Sequence, residues 1–153
     1  MSAIRISVII PCYNAEKFIR QALTSVKKQT YGSYEIIVVD DYSTDRSIEV
    51  INSSGLNVKL IHTHRLGGAG ARNAGIYEAK GEWLAFLDAD DIWYPMHLMR
   101  LVDIIGKYDV VGLINHYDHL DVKGTDLIKR PCPFSSLIVG FGLEEYIDLY
   151  IKY

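Results

Sequence analysis

The chain has 153 residues, of which 49% are apolar and 23% charged, and its formal net charge is -3. This length suits one domain with a buried core, and the composition excludes an intrinsically disordered chain. The negative charge argues against general binding of nucleic acid. No apolar run is long enough to span a bilayer. We therefore expect a soluble protein that needs local positive charge or a bound cation to hold any phosphorylated ligand.

The cysteines and the N-terminus bear on the cellular compartment. Cys12 and Cys132 form neither a CxxC motif nor a zinc-site spacing. Free thiols in a reducing cytosol are expected, and a disulfide stays open as the alternative. No signal-peptide pattern precedes the first apolar run. These features predict a cytoplasmic protein, and peripheral association with the inner face of the membrane would require parts outside this chain.

Five short runs rich in Ile, Val and Leu have the composition of strands that are buried on both faces. These predicted strands cover residues 4–10, 35–39, 58–61, 83–87 and 109–114. Helical patterns separate the runs, as expected for βαβ units with right-handed crossovers. The sequence therefore predicts an α/β fold, a three-layer α/β/α sandwich around a mostly parallel central sheet.

The predicted boundaries depend on individual residues. Pro11 ends the first strand in this interpretation, and Asn14 caps the helix that follows. Ser43 and Thr44 are the expected caps of the second helix. The later elements are a third helix at 69–79, a fourth around 98–105, a loop or hairpin at 116–126 and an amphipathic helical stripe at 143–151.

Acidic residues follow the fourth predicted strand, and ligands of open parallel sheets bind beyond such strand ends. Asp88, Asp90 and Asp91 would repel one another in a buried setting, and a hard cation such as Mg²⁺ or Mn²⁺ relieves that repulsion. Asp88 and Asp90 alternate along an extended backbone, so both can face one side. The alternative is an acidic turn that caps the next helix.

Two other segments carry residues suited to nucleotide binding. Asp40 and Asp41 follow the second strand, where a carboxylate can accept a hydrogen bond from a base or ribose, or cap a helix. The glycine-rich segment 67–75 fails the GxGxxG pattern because Asn73 stands in place of the third glycine. Arg72 suits a diphosphate through its planar guanidinium, and a solvated helix arginine is the alternative.

Four motifs, at residues 7–14, 36–45, 71–75 and 86–91, occur in order and closely resemble those of the family 2 glycosyltransferases of the GT-A fold. The resemblance covers about residues 4–105. It implies a nucleotide-sugar (donor) binding subdomain at 1–115 and the start of a truncated acceptor-side region at 116–153.

The resemblance implies roles around the nucleotide base. Pro11 and Tyr13 would line the base pocket, and Asp41 would hydrogen-bond the base, usually uracil. Arg72 would help to hold the base or the phosphates. The chain departs from the family pattern at Tyr42, where the family commonly has glycine.

The same resemblance implies a metal and a base. Asp88 would contact the ribose or sugar, and Asp90 would ligate the Mn²⁺ or Mg²⁺ that bridges the donor diphosphate. Glu144 and Glu145 are the candidates for the general base of an inverting transfer, with surface acids on a helix as the alternative. The expected reaction moves a sugar from a nucleotide-diphosphate sugar, such as a UDP-sugar, to a hydroxyl of a saccharide or lipid-linked acceptor.

Two other functions stay open at this point. The chain could be a truncated, non-catalytic module that binds nucleotide sugars. It could also be a haloacid-dehalogenase-like phosphatase, in which an Asp-x-Asp motif follows an apolar strand and Asp88 would be the nucleophile. That motif usually ends the first strand, whereas here it ends the fourth. A late histidine, His116 or His119, is a further candidate for an additional metal ligand, with an ordinary surface histidine as the alternative.

Overall fold

The computed structural model describes residues 5–107, 119–120 and 127–128, and the chain divides into two compact units, Met1–Asp103 and Ile104–Tyr153. Four parallel strands form the sheet of the first unit in the order β3-β2-β1-β4. The strands are β1 (Ile6–Cys12), β2 (Tyr34–Asp40), β3 (Val58–His62) and β4 (Trp83–Phe86), and the helices are α1 (Ile19–Lys27), α2 (Ser47–Asn52), α3 (Gly67–Glu78) and α4 (His97–Lys107). The predicted parallel α/β architecture is confirmed.

The central strand β1 separates two helical layers, because alternate side chains of a strand point to opposite faces. Val8 and Ile10 belong to the main core, together with Leu23 of α1 and Leu98 of α4. Ile9 points to the opposite face and meets α3. All of these side chains are fully buried, which confirms the α/β/α layers.

Helix α3 lies unusually close to the sheet at Gly75. A Cβ atom placed on Gly75 would lie 2.5 Å from Cγ2 of Ile9 and 3.2 Å from Cγ2 of Val39. Only a residue without a side chain permits this approach. The glycine therefore sets the depth at which α3 packs, and with it the position of the first turns of α3 beside the strand ends.

The prediction that Pro11 ends the first strand is wrong, because β1 continues to Cys12 and Pro11 pairs in register with Val39. The carbonyl of Ile9 accepts a hydrogen bond from the backbone N–H of Leu87, on the β4 side. Pro11, two residues further along, faces the same side at a point where β4 has already ended. Proline therefore forgoes no ladder hydrogen bond there.

The predicted helix caps are also wrong. α1 begins only at Ile19, and Asn14 adopts a positive φ of 48° in the preceding loop. The side-chain oxygen of Asn14 accepts a hydrogen bond from the backbone N–H of Thr44 at 2.8 Å. The backbone N–H of Asn14 donates to Oγ of Ser43 at 3.0 Å. These polar residues join two loops to each other, which sequence spacing alone could not distinguish from capping.

The second unit is described at residues 104–107, the end of α4, and at two short strands, β5 (His119–Leu120) and β6 (Leu127–Ile128), which pair antiparallel. A hairpin is one of the two alternatives predicted for 116–126, and β6 lies just beyond that range. The predicted fifth strand at 109–114, the helical stripe at 143–151 and Cys132 lie outside the described residues. The division at residue 115 stays a prediction. Within the part of the chain that is described, no helix has the length and apolarity to cross a membrane.

Candidate functional site

An open pocket of about 320 Å³ lies at the carboxyl edge of the sheet. Every residue that the sequence predicted for the donor and metal site lines it, namely Pro11, Tyr13, Asp41, Arg72, Asp88 and Asp90. Sequence reasoning did not assign the remaining lining residues, which are Cys12, Asn14, Ala15, Phe18, Gly68, Ala71 and Ala89. The parallel topology explains the convergence, since the carboxyl ends of neighbouring strands meet at one edge.

Asp41 is a buried carboxylate that lines this pocket. One carboxylate oxygen accepts hydrogen bonds from Oγ1 of Thr63 and the backbone N–H of Leu66, both at 2.7 Å, and the other accepts from the backbone N–H of Gly67 at 2.8 Å. Burial raises the pKa of Asp41, but these hydrogen bonds outweigh it and hold the pKa below its usual value. Asp41 thus fastens the start of α3 to the end of β2.

A second set of hydrogen bonds joins the loop after β1 to the loop after β2. The backbone N–H of Ala15 donates to Oγ of Ser47 at 2.8 Å, and that of Glu16 donates to Oδ2 of Asp45 at 3.0 Å. The carboxylate of Glu16 accepts in return from the backbone N–H of Arg46. Burial raises the pKa of Asp45, but the hydrogen bonds from Ser47 and Glu16 outweigh that effect and hold the pKa below its usual value. These bonds fix the loop that carries Tyr13.

The acidic segment after β4 is a turn, because the backbone N–H of Asp91 donates to the carbonyl of Asp88 at 3.0 Å. The predicted extended backbone is therefore wrong, although Asp88 and Asp90 do line the same pocket. The helix-cap alternative is wrong as well, because α4 begins at His97, six residues after Asp91. The side chains of Asp88 and Asp90 are both exposed, in contrast to that of Asp41.

Arg72 and Asp88 form an ion pair within the pocket, with side chains that are 22% and 49% exposed. The alternative of a solvated helix arginine is therefore wrong. Within residues 5–107, no hydrogen bond or ion pair involves the carboxylate of Asp90. The pocket thus presents one arginine held in place by a carboxylate, and one carboxylate that is available to a ligand.

Other polar residues near the pocket have ordinary structural explanations. Cys12 is buried and free, and burial raises the pKa of its thiol to about 11, so the thiol is a poor nucleophile. Nδ1 of His62 lies 3.6 Å from the buried Asp40 carboxylate. Among the described residues, no group of three or more His, Cys, Asp or Glu side chains could hold a metal ion by itself.

A parallel sheet whose strand ends bring an Asp-x-Asp turn and an arginine from a glycine-rich helix to one pocket defines the class of GT-A glycosyltransferases. The family model described as Glycosyl transferase family 2 matches residues 7–140. The chain belongs to this family. The family assignment decides against the phosphatase alternative, and the GT-A fold implied by the four motifs is confirmed.

Two similar proteins agree with this assignment. The chain is 37% identical over 143 residues to the Escherichia coli protein UDP-Glc:alpha-D-GlcNAc-diphosphoundecaprenol beta-1,3-glucosyltransferase WfgD, an alignment of 90% of this chain and 56% of that protein. It is similar to Staphylococcus aureus TarS in complex with UDP, with 34% identity and a TM-score of 0.64 over 68% of this chain and 32% of TarS.

A third similar protein is the mannosyltransferase PcManGT from Pyrobaculum calidifontis in complex with GDP-Man and Mn²⁺. The identity is 31% and the TM-score 0.57, over 61% of this chain and 29% of that protein. The matched part of the chain therefore spans between 29% and 56% of the length of these relatives.

Proposed function

We propose that this chain forms the donor-binding half of a metal-dependent, inverting glycosyltransferase that takes its sugar from a UDP-sugar. The observation that carries the proposal is that all six residues predicted for donor and metal binding line the same pocket. Pro11 and Tyr13 lie at the end of β1, where they would flank the base, and Asp41 would contact its edge. TarS, a similar protein, has been crystallised with UDP and with UDP-GlcNAc, which supports a uridine donor.

The carboxylates of Asp90 and Asp88 fit a hard divalent cation, Mn²⁺ or Mg²⁺. Such cations prefer oxygen ligands and commonly take one or two carboxylates, with phosphate oxygens and water completing the shell. This preference accounts for a site with fewer than three protein ligands. The bound cation would neutralise charge on the departing diphosphate. Arg72 would contribute a second positive charge on the same side, since its guanidinium suits phosphate oxygens.

The acceptor and the general base complete the proposal. Glu144 and Glu145, the candidate bases, lie outside the described residues and stay predictions, as do the histidine candidates His116 and His119. The acceptor would be a saccharide or a lipid-linked sugar, which agrees with the diphosphoundecaprenol in the name of the E. coli relative. A lipid-linked acceptor would place the protein at the inner face of the membrane. We propose no nucleic-acid partner.

Isothermal titration of UDP into the chain tests the donor site and its metal. With Mn²⁺ present, UDP should bind at least about tenfold more tightly than in a chelator, a difference of roughly 1.4 kcal/mol. In Asp90→Ala the advantage of Mn²⁺ should disappear. Asp91→Asn is the matched control, because this neighbouring acid does not line the pocket, and it should keep the Mn²⁺ effect.

Equal UDP affinity with Mn²⁺ and with the chelator, in both the wild-type chain and Asp90→Ala, would remove the metal from the proposal. Release of sugar from a UDP-sugar then separates an active enzyme from a binding module. A chain that binds the donor but releases no sugar corresponds to the non-catalytic alternative.

A further inference from the structure

The guanidinium of Arg72, on α3, has two neighbours in the pocket. Its Nη2 atom pairs with Oδ1 of Asp88, in the acidic segment after β4. A Cβ atom placed on Gly68, one helical turn before Arg72, would lie 3.2 Å from Nη1 of Arg72. The guanidinium therefore lies beside both the first turn of α3 and the acidic segment. All three residues line the pocket.

The electrostatics of this position favour a negative partner. The first turn of a helix carries partial positive charge from its aligned N–H groups, and anions are stabilised there. The guanidinium of Arg72 adds a full positive charge at the same end of α3. In the structure Asp88 balances the charge of the guanidinium. The donor diphosphate of the proposed function is a second anion that suits the same place.

The carboxylate of Asp88 also belongs to the proposed cation site, together with Asp90. A cation bound to this carboxylate would lie close to the guanidinium of Arg72, and the two positive charges repel each other. The Arg72–Asp88 pair is partly exposed, at 22% and 49% for the two side chains, so its separation costs little free energy. A bound cation can therefore free Arg72 without disturbing the fold.

We propose that Asp88 is a positioning residue that holds Arg72 and releases it to the donor diphosphate when a divalent cation binds the acidic segment. The inference rests on the proposed function and adds to it a coupling between metal and diphosphate. Without a cation, Arg72 stays paired with Asp88 and is not available to the phosphates. With a cation bound, the phosphates replace Asp88 as the partner of Arg72. The coupling is reciprocal, so UDP should strengthen cation binding by the same factor.

Titration of UDP in a chelator tests this exchange, because Asp88→Asn should free Arg72 without a metal. UDP should bind this variant at least about threefold more tightly than the wild-type chain, within the range that a partly exposed ion pair contributes. Asp90→Asn is the matched control. It removes the same charge from the pocket, but from a side chain that forms no ion pair within residues 5–107. Its gain in UDP affinity should be smaller.

A double-mutant cycle shows whether the gain depends on Arg72. In the Arg72→Gln background, Asp88→Asn should lose most of its gain in UDP affinity, because no guanidinium remains to be freed. Binding of Mn²⁺ alone gives a complementary measurement. Arg72→Gln should bind Mn²⁺ at least about threefold more tightly than the wild-type chain, since the cation no longer competes for Asp88. Arg65→Gln, at an exposed arginine outside the pocket, is the control and should not.

Thermal unfolding of the same variants should show little change, because the ion pair is partly exposed. Three results would each overturn this inference while a Mn²⁺-dependent UDP affinity of the wild-type chain upholds the proposed function. They are equal gains for Asp88→Asn and Asp90→Asn, an undiminished gain in the Arg72→Gln background, and an unchanged Mn²⁺ affinity in Arg72→Gln. A wild-type chain whose UDP affinity does not respond to Mn²⁺ would overturn the metal site and this inference together.

Discussion

The two sides of the pocket use polar residues in opposite ways. On one side lies the hydrogen-bonded frame, which we define as residues 13–16, 41–47 and 63–67. Its carboxylates accept hydrogen bonds from the chain itself, as Asp41 does from three donors and Asp45 from Ser47 and Glu16. On the other side lies the acidic turn, residues 88–91, whose Asp88 and Asp90 are exposed.

The number of hydrogen bonds from the chain distinguishes carboxylates that keep the loops of the pocket in place from carboxylates that can bind a ligand. A buried carboxylate with several protein donors is satisfied and fixed, and its removal leaves those donors unpaired. An exposed carboxylate with few protein partners contributes little to folding and keeps its lone pairs for a cation. The frame should therefore matter for the stability of the fold, and the acidic turn for binding.

The largest expected effect on stability is that of Asp41→Ala. The variant leaves the hydroxyl of Thr63 and the backbone N–H groups of Leu66 and Gly67 without their acceptor. We expect the free energy of unfolding to fall by about 2–4 kcal/mol. Urea unfolding measures it, with Asp103→Ala on the exposed side of α4 as the control. A loss no larger than that of the control would contradict the role of Asp41 in the frame.

A smaller decrease in the free energy of unfolding is expected for Ser47→Ala. The Ser47 hydroxyl is fully buried, accepts from the N–H of Ala15 and donates to Asp45. Its removal should cost about 1–3 kcal/mol, because one buried donor is left unsatisfied. Ser53→Ala, at an exposed serine, is the control for the same chemical change. UDP affinity should fall as well, since the Ala15 loop positions Tyr13.

Acid should weaken the frame in a defined direction. The pKa values of Asp41 and Asp45 are lower in the folded chain than their ordinary value of 3.8. Their contribution to stability is therefore fully present above that pH and is lost as the pH falls through the lower folded pKa values. Urea midpoints measured downward from about pH 5 should show this loss, and the loss should be smaller in Asp41→Asn. An equal pH dependence in the variant would contradict the assignment to Asp41.

The smallest effect on stability is expected for Asp90→Ala. The free energy of unfolding without ligand should change by no more than about 0.5 kcal/mol, because the side chain is exposed. The wild-type chain and Asp90→Ala should differ once Mn²⁺ and UDP are added. These ligands should raise the melting temperature of the wild-type chain far more than that of the variant. A large loss of stability in Asp90→Ala without ligand would show that the acidic turn also supports the fold.

The sequence predicted the parallel sheet and the convergence of six site residues because both follow from local patterns. Continuous apolar runs indicate buried strands, and parallel strands bring their carboxyl ends together whatever their separation along the chain. The caps proposed at Asn14, Ser43 and Thr44 were wrong because their hydrogen bonds connect residues about thirty positions apart. A polar residue after a strand has the same local signal whether it caps a helix or bonds to a neighbouring loop.

The acidic motif and Tyr42 show which features the sequence determines and which depend on the tertiary structure. The sequence by itself determined that Asp88 and Asp90 follow an apolar strand and that Tyr42 follows the acidic pair Asp40 and Asp41. Tertiary structure decided that the acids sit in a turn beside Arg72, and that the Tyr42 ring meets His64 and Arg65. The physical reason is that strand formation depends on neighbouring residues, whereas these contacts depend on how deeply α3 packs on the sheet.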